Sequence, residues 1–78
     1  MKVIVYSTPT CPWCKVVKDF LKSHNVEFTD VDVSEDMEKG KEMVKKSGQT
    51  SVPVIDIGGE IVVGFDQVKL KYTLGIKD

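Results

Sequence analysis

The 78-residue sequence predicts one α/β domain over residues 1–78, in which a four-stranded mixed sheet is flanked by three helices in the order β-α-β-α-β-β-α. Three observations lead to this fold class. Short apolar runs alternate repeatedly with stretches of helical spacing. Paired glycines at 58 and 59 divide the last two apolar runs into a hairpin. The length leaves room for one small domain only.

The first half of the chain predicts a βαβ unit. Residues 2–6 form a β-branched and aromatic run that suits a buried central strand. A helix follows, capped by Thr10 or Cys11, with Pro12 at a position that tolerates a missing N–H. Residues 26–33 alternate imperfectly between apolar and charged, which indicates a second strand near an edge. The helical crossover makes the two strands parallel.

A second helix is predicted to begin at residues 34–36, where a hydroxyl cap and two acids face the positive end of the helix dipole. Its inner face is expected to carry Met37, Lys41 and Val44, and Gly40 interrupts that face.

The chain is then predicted to continue with an antiparallel hairpin of residues 54–57 and 60–63. Residues 64–74 predict a short closing helix with Phe65, Val68 and Tyr72 on one side.

Composition lowers the expectation for several functional classes. Eleven lysines face twelve acids, the net charge is −1 and arginine is absent, whereas a nucleic-acid-binding domain usually has a basic excess. No apolar run approaches the roughly 20 residues of a membrane span, and the first seven residues are too short for a signal peptide, so a cytoplasmic location is expected. Two cysteines and one histidine cannot supply four ligands for zinc, so no bound metal is expected.

The sequence Cys11-Pro12-Trp13-Cys14 lies where the first strand passes into the first helix. Free N–H groups and the dipole at a helix N-terminus favour an anion, so Cys11 is predicted to be a nucleophilic thiolate. Cys14, one turn further on, can attack a mixed disulfide on Cys11 as the resolving thiol. Pro12 stiffens the turn between the sulfurs, and Trp13 is expected to contact the substrate rather than the core. A pair of buried structural thiols is the alternative.

The stretch Thr50-Ser51-Val52-Pro53 is the second informative motif. A cis peptide before Pro53 would turn the Val52 backbone toward the cysteines, where it could hold a substrate strand. A proline at the start of a strand is also an ordinary tolerated position. Because only about 5–6% of X–Pro bonds are cis, the residues alone favour the second interpretation.

Taken together, these motifs resemble the glutaredoxin family over essentially the whole chain. The resemblance rests on the Cys-Pro-aromatic-Cys motif at 11–14, on Ser-Val-Pro at 51–53, on the glycine hairpin, and on Gly-Phe-Asp at 64–66. It implies a thioredoxin fold, a cis Pro53, and a thiol-disulfide oxidoreductase in which Cys11 forms the mixed disulfide. It also implies glutathione as a thiol co-substrate, with no bound cofactor.

The resemblance places glutathione along Val52, with its γ-glutamyl end near the start of the last helix. The residues expected to bind substrate or glutathione are Thr8, Pro12, Trp13, Lys15, Gln49, Ser51, Val52, Pro53, Gly64, Phe65 and Asp66. The expected partners are glutathione and disulfide-containing or glutathionylated proteins, and the chain is expected to be a monomer.

Two positions depart from the family pattern. The family usually has Lys or Arg where this chain has Thr8, and often Arg where Gln49 stands. Both differences remove positive charge that would meet a carboxylate. The Gly64-Phe65 pair is similar to the small glutaredoxin-like redoxins that feed ribonucleotide reductase and take electrons from thioredoxin reductase, which is the first alternative function. A metal-binding module, or a dimer that bridges an iron–sulfur cluster through Cys11 and glutathione, is the alternative from another class.

Overall fold

The computed structural model describes residues 2–76, and residues 1, 77 and 78 of the predicted domain lie outside the described part. The elements follow the predicted order. They are β1 (Val3–Ser7), α1 (Pro12–Ser23), β2 (Thr29–Asp32), α2 (Met37–Ser47), β3 (Val54–Ile57), β4 (Glu60–Val63) and α3 (Gln67–Leu74). Among the described helices, none is long and apolar enough to cross a membrane.

The four strands form one mixed sheet in the order β2-β1-β3-β4. β1 pairs parallel with β2 and antiparallel with β3, and β3 pairs antiparallel with β4. The apolar composition of β1 correctly predicted its central position. Tyr6, near the carboxyl end of β1, lies opposite Val54, the first residue of β3. The turn after β1 and the residues before β3 therefore meet at the same end of the sheet.

Helices cover both faces of this sheet, as predicted. α1 and α3 pack on one face through Val17, Leu21 and Leu70. α2 covers the other face through Met43, which packs with Tyr6 in a smaller cluster. The helix that begins with the cysteine motif is thus anchored to the sheet by the larger of the two clusters.

Two element starts differ from the prediction. The second strand was predicted from residue 26 but begins at Thr29, because the chain before it closes α1: Asn25 takes a φ of 59°, and the Val26 amide donates to the Leu21 carbonyl at 2.9 Å. The predicted hydroxyl cap of α2 is also wrong. Ser34 donates its amide N–H to the Asp32 carboxylate at 2.9 Å in a turn, and Asp36 caps the helix instead.

The inner face predicted for α2 is wrong as well. Met37, Lys41 and Val44 are all exposed, and Met43 is the buried residue of this helix. Gly40 explains the rotation. A Cβ at that position would lie 3.7 Å from the Val33 carbonyl oxygen, so the glycine side of the helix is the side that approaches the sheet.

α3 also differs from its predicted form. It begins at Gln67 rather than at residue 64, because the Asp66 side chain accepts the Lys69 amide N–H and caps the helix there. Val68 and Tyr72, predicted on the same side as Phe65, are both exposed, and Leu70 is the buried residue of this helix.

Candidate active site

Cys11 is the N-cap residue of α1, and Pro12 is the first residue of the helix, as predicted. The Cys11 side chain is half-buried. The Cys14 amide N–H donates to the Cys11 sulfur at a distance of 3.2 Å. This contact fixes the position of the Cys11 sulfur at the first turn of α1.

Cys14 is fully buried, in contrast to Cys11. Burial raises the pKa of the Cys14 thiol to about 11, and the hydrogen bond with Cys11 acts in the same direction. The backbone N–H of Thr8 and the positive charge of Lys18 oppose this rise without cancelling it. The two cysteines therefore differ chemically although they lie one helical turn apart. The Cys11 sulfur is accessible to a substrate, whereas the Cys14 thiol is buried and stays protonated at neutral pH.

The segment before β3 lies beside Cys11. The Val52–Pro53 peptide bond is cis. The Cys11 sulfur lies 3.9 Å from the Val52 carbonyl oxygen, to which its S–H can donate. The Gly64 amide N–H donates to the Pro53 carbonyl at 2.9 Å, so the end of β4 holds this segment from its other side.

An open groove of about 280 Å³ passes through these residues and is lined by Trp13, Val52, Pro53, Gly64 and Phe65. Trp13 is 60% exposed, which fits the expectation that it stays out of the core. Its ring stacks with that of Phe65 at a centroid distance of 6.2 Å. The arrangement offers a flat apolar wall next to a reactive sulfur.

Four other residues predicted to bind substrate have exposed side chains: Lys15, Gln49, Ser51 and Asp66. The Ser51 hydroxyl donates to the Gln49 side-chain oxygen at 3.3 Å. The Asp66 carboxylate is already engaged as the cap of α3. Their part in binding stays a prediction.

Sequence reasoning missed a polar cluster formed by Ser7, Lys18 and Asp30. One Asp30 oxygen accepts the Ser7 hydroxyl at 2.7 Å, and the other accepts from the Lys18 ammonium group at 3.0 Å. Lys18 stands four residues after Cys14 on the same helix, and that spacing is the signal that could have revealed it. The cluster holds a positive charge close to the buried thiol.

Comparisons with known proteins agree with this geometry. The family model described as Glutaredoxin matches residues 3–62. An uncharacterized glutaredoxin-like 8.6 kDa protein in the rubredoxin operon of Clostridium pasteurianum is 53% identical over 66 residues, covering 85% of this chain and 88% of that protein. Glutaredoxin 3 of Escherichia coli strain K12 is 36% identical over 66 residues, covering 85% of this chain and 80% of its own length.

A solved structure extends the similarity to the whole fold. The crystal structure of a mutant of the thioredoxin-like protein BC3987 superposes with a TM-score of 0.92 and 38% sequence identity. The superposition covers 97% of each chain. The four-stranded sheet and three helices described above are thus those of a thioredoxin-like protein.

Proposed function

The chain belongs to the glutaredoxin family of thiol oxidoreductases, and we propose that it reduces protein disulfides and protein–glutathione mixed disulfides with electrons from glutathione. The observation that supports this most directly is the unequal cysteine pair. Cys11 is half-buried with an amide N–H directed at its sulfur, while Cys14 is buried three residues away. Such a pair suits one attacking and one resolving thiol.

In the first step the Cys11 thiolate attacks one sulfur of the substrate disulfide. A Cys11–substrate disulfide forms, the substrate S–S bond breaks, and the other substrate sulfur leaves as a thiolate. The Val52 carbonyl, which lies 3.9 Å from the Cys11 sulfur, would accept a backbone hydrogen bond from the bound substrate strand. Trp13 and Phe65 would cover the apolar side of that strand.

In the second step Cys14 attacks the Cys11 sulfur and releases the remaining substrate thiolate. Since the pKa of Cys14 is about 11, its thiol gives up a proton as it attacks, and the departing thiolate is a suitable acceptor. Across both steps, the Cys11–Cys14 dithiol and the substrate disulfide are converted to a Cys11–Cys14 disulfide and two substrate thiols. Two molecules of glutathione would then restore the dithiol and leave as glutathione disulfide.

The electron donor is tested by comparing two coupled assays. Turnover of a glutathione mixed disulfide is measured with glutathione, glutathione reductase and NADPH, and separately with thioredoxin reductase and NADPH alone. The proposal expects turnover in the first assay. Protein with both thiols confirmed free that turns over in neither assay would overturn the assignment as a disulfide reductase.

A specific observation favours thioredoxin reductase as the alternative donor. Thr8 and Gln49 carry no charge for the carboxylates of glutathione. Lys46, a lysine close to Gln49 in sequence, is already engaged by Asp56 at 2.6 Å. Turnover in the second assay alone would therefore identify the chain as a glutaredoxin-like donor of the kind that serves ribonucleotide reductase.

A bridged iron–sulfur cluster is the candidate from a different class. Within residues 2–76, no three His, Cys, Asp or Glu side chains are grouped as a metal site, so a cluster would need a second copy and glutathione. Visible absorbance of protein purified without oxygen would reveal one. A cytoplasmic location also belongs to the proposal, because reduced thiols persist in that compartment.

A further inference from the structure

A second groove, of about 530 Å³, lies along α2. Apolar groups of Val33, Met37, Val44 and Thr50 line it, and Lys41 and Lys45 are the charged residues of its lining. We call it the α2 groove. None of the residues assigned above to substrate binding lies in its lining.

The groove exposes apolar side chains that a surface helix ordinarily turns inward. Met37 is 76% exposed and Val44 is 37% exposed. Gly40 and Val33 also line the groove, and Gly40 contributes no side chain that would fill it. Methionine is flexible enough to adapt to different apolar partners, and adjacent exposed apolar groups are typical of binding surfaces.

A short stretch of chain connects the α2 groove to the reactive site. Thr50, in its lining, stands two residues before Val52, whose carbonyl lies 3.9 Å from the Cys11 sulfur. Two residues of extended chain span at most roughly 7 Å. A substrate strand lying along Val52 would therefore reach the groove about two to four residues from its own cysteine.

The charge of the lining defines the partner further. Lys41 and Lys45 are one helical turn apart on α2 and both line the groove. Glu42, the acid between them in sequence, instead accepts from the Tyr6 hydroxyl at 2.6 Å and lies 3.7 Å from the Lys39 ammonium group. Lys41 and Lys45 also line a neighbouring pocket together with Glu38 and Glu42, but neither acid belongs to the lining of the α2 groove. The groove therefore combines an apolar floor with two positively charged side chains.

We propose that the α2 groove binds a segment of the protein substrate in which a bulky apolar side chain stands next to a carboxylate, close in sequence to the reactive cysteine. The proposal rests on the disulfide reductase function given above. It makes the groove a selectivity surface: a protein disulfide with this neighbouring pair reacts faster than one without it, whereas a small disulfide gains nothing from the groove.

The test follows a single turnover of the reduced protein, so the source of electrons does not enter. Three disulfides are compared: a peptide with Leu-Asp three residues from its cysteine, the same peptide with Gly-Ser in that place, and hydroxyethyl disulfide. The pair is placed on each side of the cysteine in separate peptides. Formation of the Cys11–Cys14 disulfide is measured after acid quenching by mass spectrometry. With the pair on one of the two sides of the cysteine, the Leu-Asp peptide is expected to react about tenfold faster than the Gly-Ser peptide. The reason is that its leucine side chain is buried in the groove when the peptide binds.

Variants show whether the preference for the Leu-Asp peptide depends on the groove. For each variant, the rate with a peptide is divided by the rate with hydroxyethyl disulfide, so that changes in general reactivity cancel. Met37→Glu places a carboxylate in the groove at the exposed first residue of α2, where an acid suits the helix dipole, and is expected to remove the tenfold preference. Lys41→Glu is expected to shift the preference to a Leu-Lys peptide. Val68→Glu makes the same change as Met37→Glu on α3, at an 80% exposed residue outside the groove, and should keep the preference.

Equal rates for the two peptides on both sides, or a Met37→Glu protein that keeps the preference, would overturn the groove proposal. These results differ from failure of the underlying function. If hydroxyethyl disulfide and both peptides leave Cys11 and Cys14 reduced, the reductase function and the groove proposal fall together.

Discussion

Cys11 and Cys14 share one turn of helix, yet the structure gives their sulfurs opposite environments. The Cys11 sulfur is half-buried and accepts a backbone N–H at 3.2 Å. The Cys14 sulfur is fully buried, and its pKa is raised to about 11, chiefly by burial. At the residue scale, order of reaction is therefore set by access: a substrate too large to enter the core can meet only Cys11.

Serine substitutions should separate the two roles. Cys11→Ser is expected to remove activity on both glutathione mixed disulfides and protein disulfides, because it lacks the attacking sulfur. Cys14→Ser should keep turnover of glutathione mixed disulfides within about twofold and slow protein disulfide reduction by at least about tenfold, because free thiol must then resolve the intermediate. Both coupled assays are run on the same preparations, with circular dichroism as the control for folding. A Cys14→Ser protein that reduces protein disulfides at the wild-type rate would contradict the resolving role.

Gly40 allows a second prediction at this scale. Its added Cβ would make only ordinary contacts, at 3.7 and 3.8 Å from Val33 atoms. Gly40→Ala should therefore raise the free energy of unfolding by about 0.5–1 kcal/mol, since alanine favours a helix interior. Gly48→Ala is the matched control: Gly48 caps the same helix at a φ of 73°, so alanine there should cost about 1 kcal/mol. Urea unfolding measures both, and a loss of stability in Gly40→Ala would show that the helix cannot accept the extra methyl group.

At the element scale, a polar cross-link joins α2 to the sheet. The Lys46 ammonium group donates to the Asp56 carboxylate at 2.6 Å and to the Tyr6 hydroxyl oxygen at 2.9 Å. The Tyr6 hydroxyl in turn donates to Glu42 at 2.6 Å, and Asp56 also accepts the Gly59 amide in the hairpin turn. The Lys46 ammonium group thus connects the last turn of α2 to β1, and its partner Asp56 extends the connection to the β3–β4 hairpin.

This cross-link should make stability depend on pH. Burial raises the pKa of the Asp56 carboxyl, but hydrogen bonds from Lys46 and Gly59 and the Lys46 charge outweigh it, so the pKa lies below its usual value. The contribution of Asp56 is therefore present above pH about 4, the unfolded value, and is lost as the pH falls further. Asp56→Asn should lower the free energy of unfolding by about 2–3 kcal/mol at pH 7, and by less at pH 2.5.

Urea unfolding at pH 7, 4 and 2.5 checks the Asp56 prediction. Asp19→Asn removes the same charge from an exposed position on α1 and should change stability by less than about 0.5 kcal/mol throughout. An Asp56→Asn deficit that stays constant from pH 7 to 2.5 would show that the ionised carboxylate is not what stabilises the native state.

The order and type of every element could be predicted from the local sequence pattern, because β-branched runs, helix caps and a glycine turn each depend only on neighbouring residues. The inner faces of α2 and α3 could not. α2 is placed by the contact of Gly40 with Val33, and Lys46 is placed by Asp56 in a strand ten residues later. These are tertiary contacts, and they outweigh a weak apolar pattern in helices of eleven and eight residues.

The site divides in the same way. Cys11, as the helix cap, could be predicted because its position depends on the next three residues. The position of Val52 beside Cys11 depends on the pairing of β1 with β3, so the residues alone did not indicate it, and the family resemblance did. The Ser7–Lys18–Asp30 cluster joins three elements, which is why it was missed.

At the scale of the whole molecule, one sheet carries both core clusters. Leu21 belongs to the cluster under α1 and α3, and Met43 belongs to the cluster under α2. Their strands are shared: β1 and β3 supply residues to both faces. Loss of the packing on either face weakens the strands that carry the other cluster, so the domain should unfold as one unit.

Shortening a buried side chain on either face of the sheet tests whether the domain unfolds as one unit. Leu21→Ala and Met43→Ala should each lower the free energy of unfolding by about 2–5 kcal/mol, because both side chains are buried. In both variants the far-UV and near-UV circular dichroism midpoints in urea should coincide. Val68→Ala, at an exposed position, serves as the control and should change stability by less than about 0.5 kcal/mol. Two separated midpoints in either variant would show that the faces unfold independently.

The stacked wall beside the reactive sulfur has an optical consequence. The sequence contains one tryptophan, and that residue stands in the cysteine motif, open to solvent and in ring contact with Phe65. All tryptophan emission from this protein therefore originates next to the reacting bond. The unlabelled chain carries its own fluorescent reporter, with which oxidation of the pair and arrival of a partner can be followed in real time.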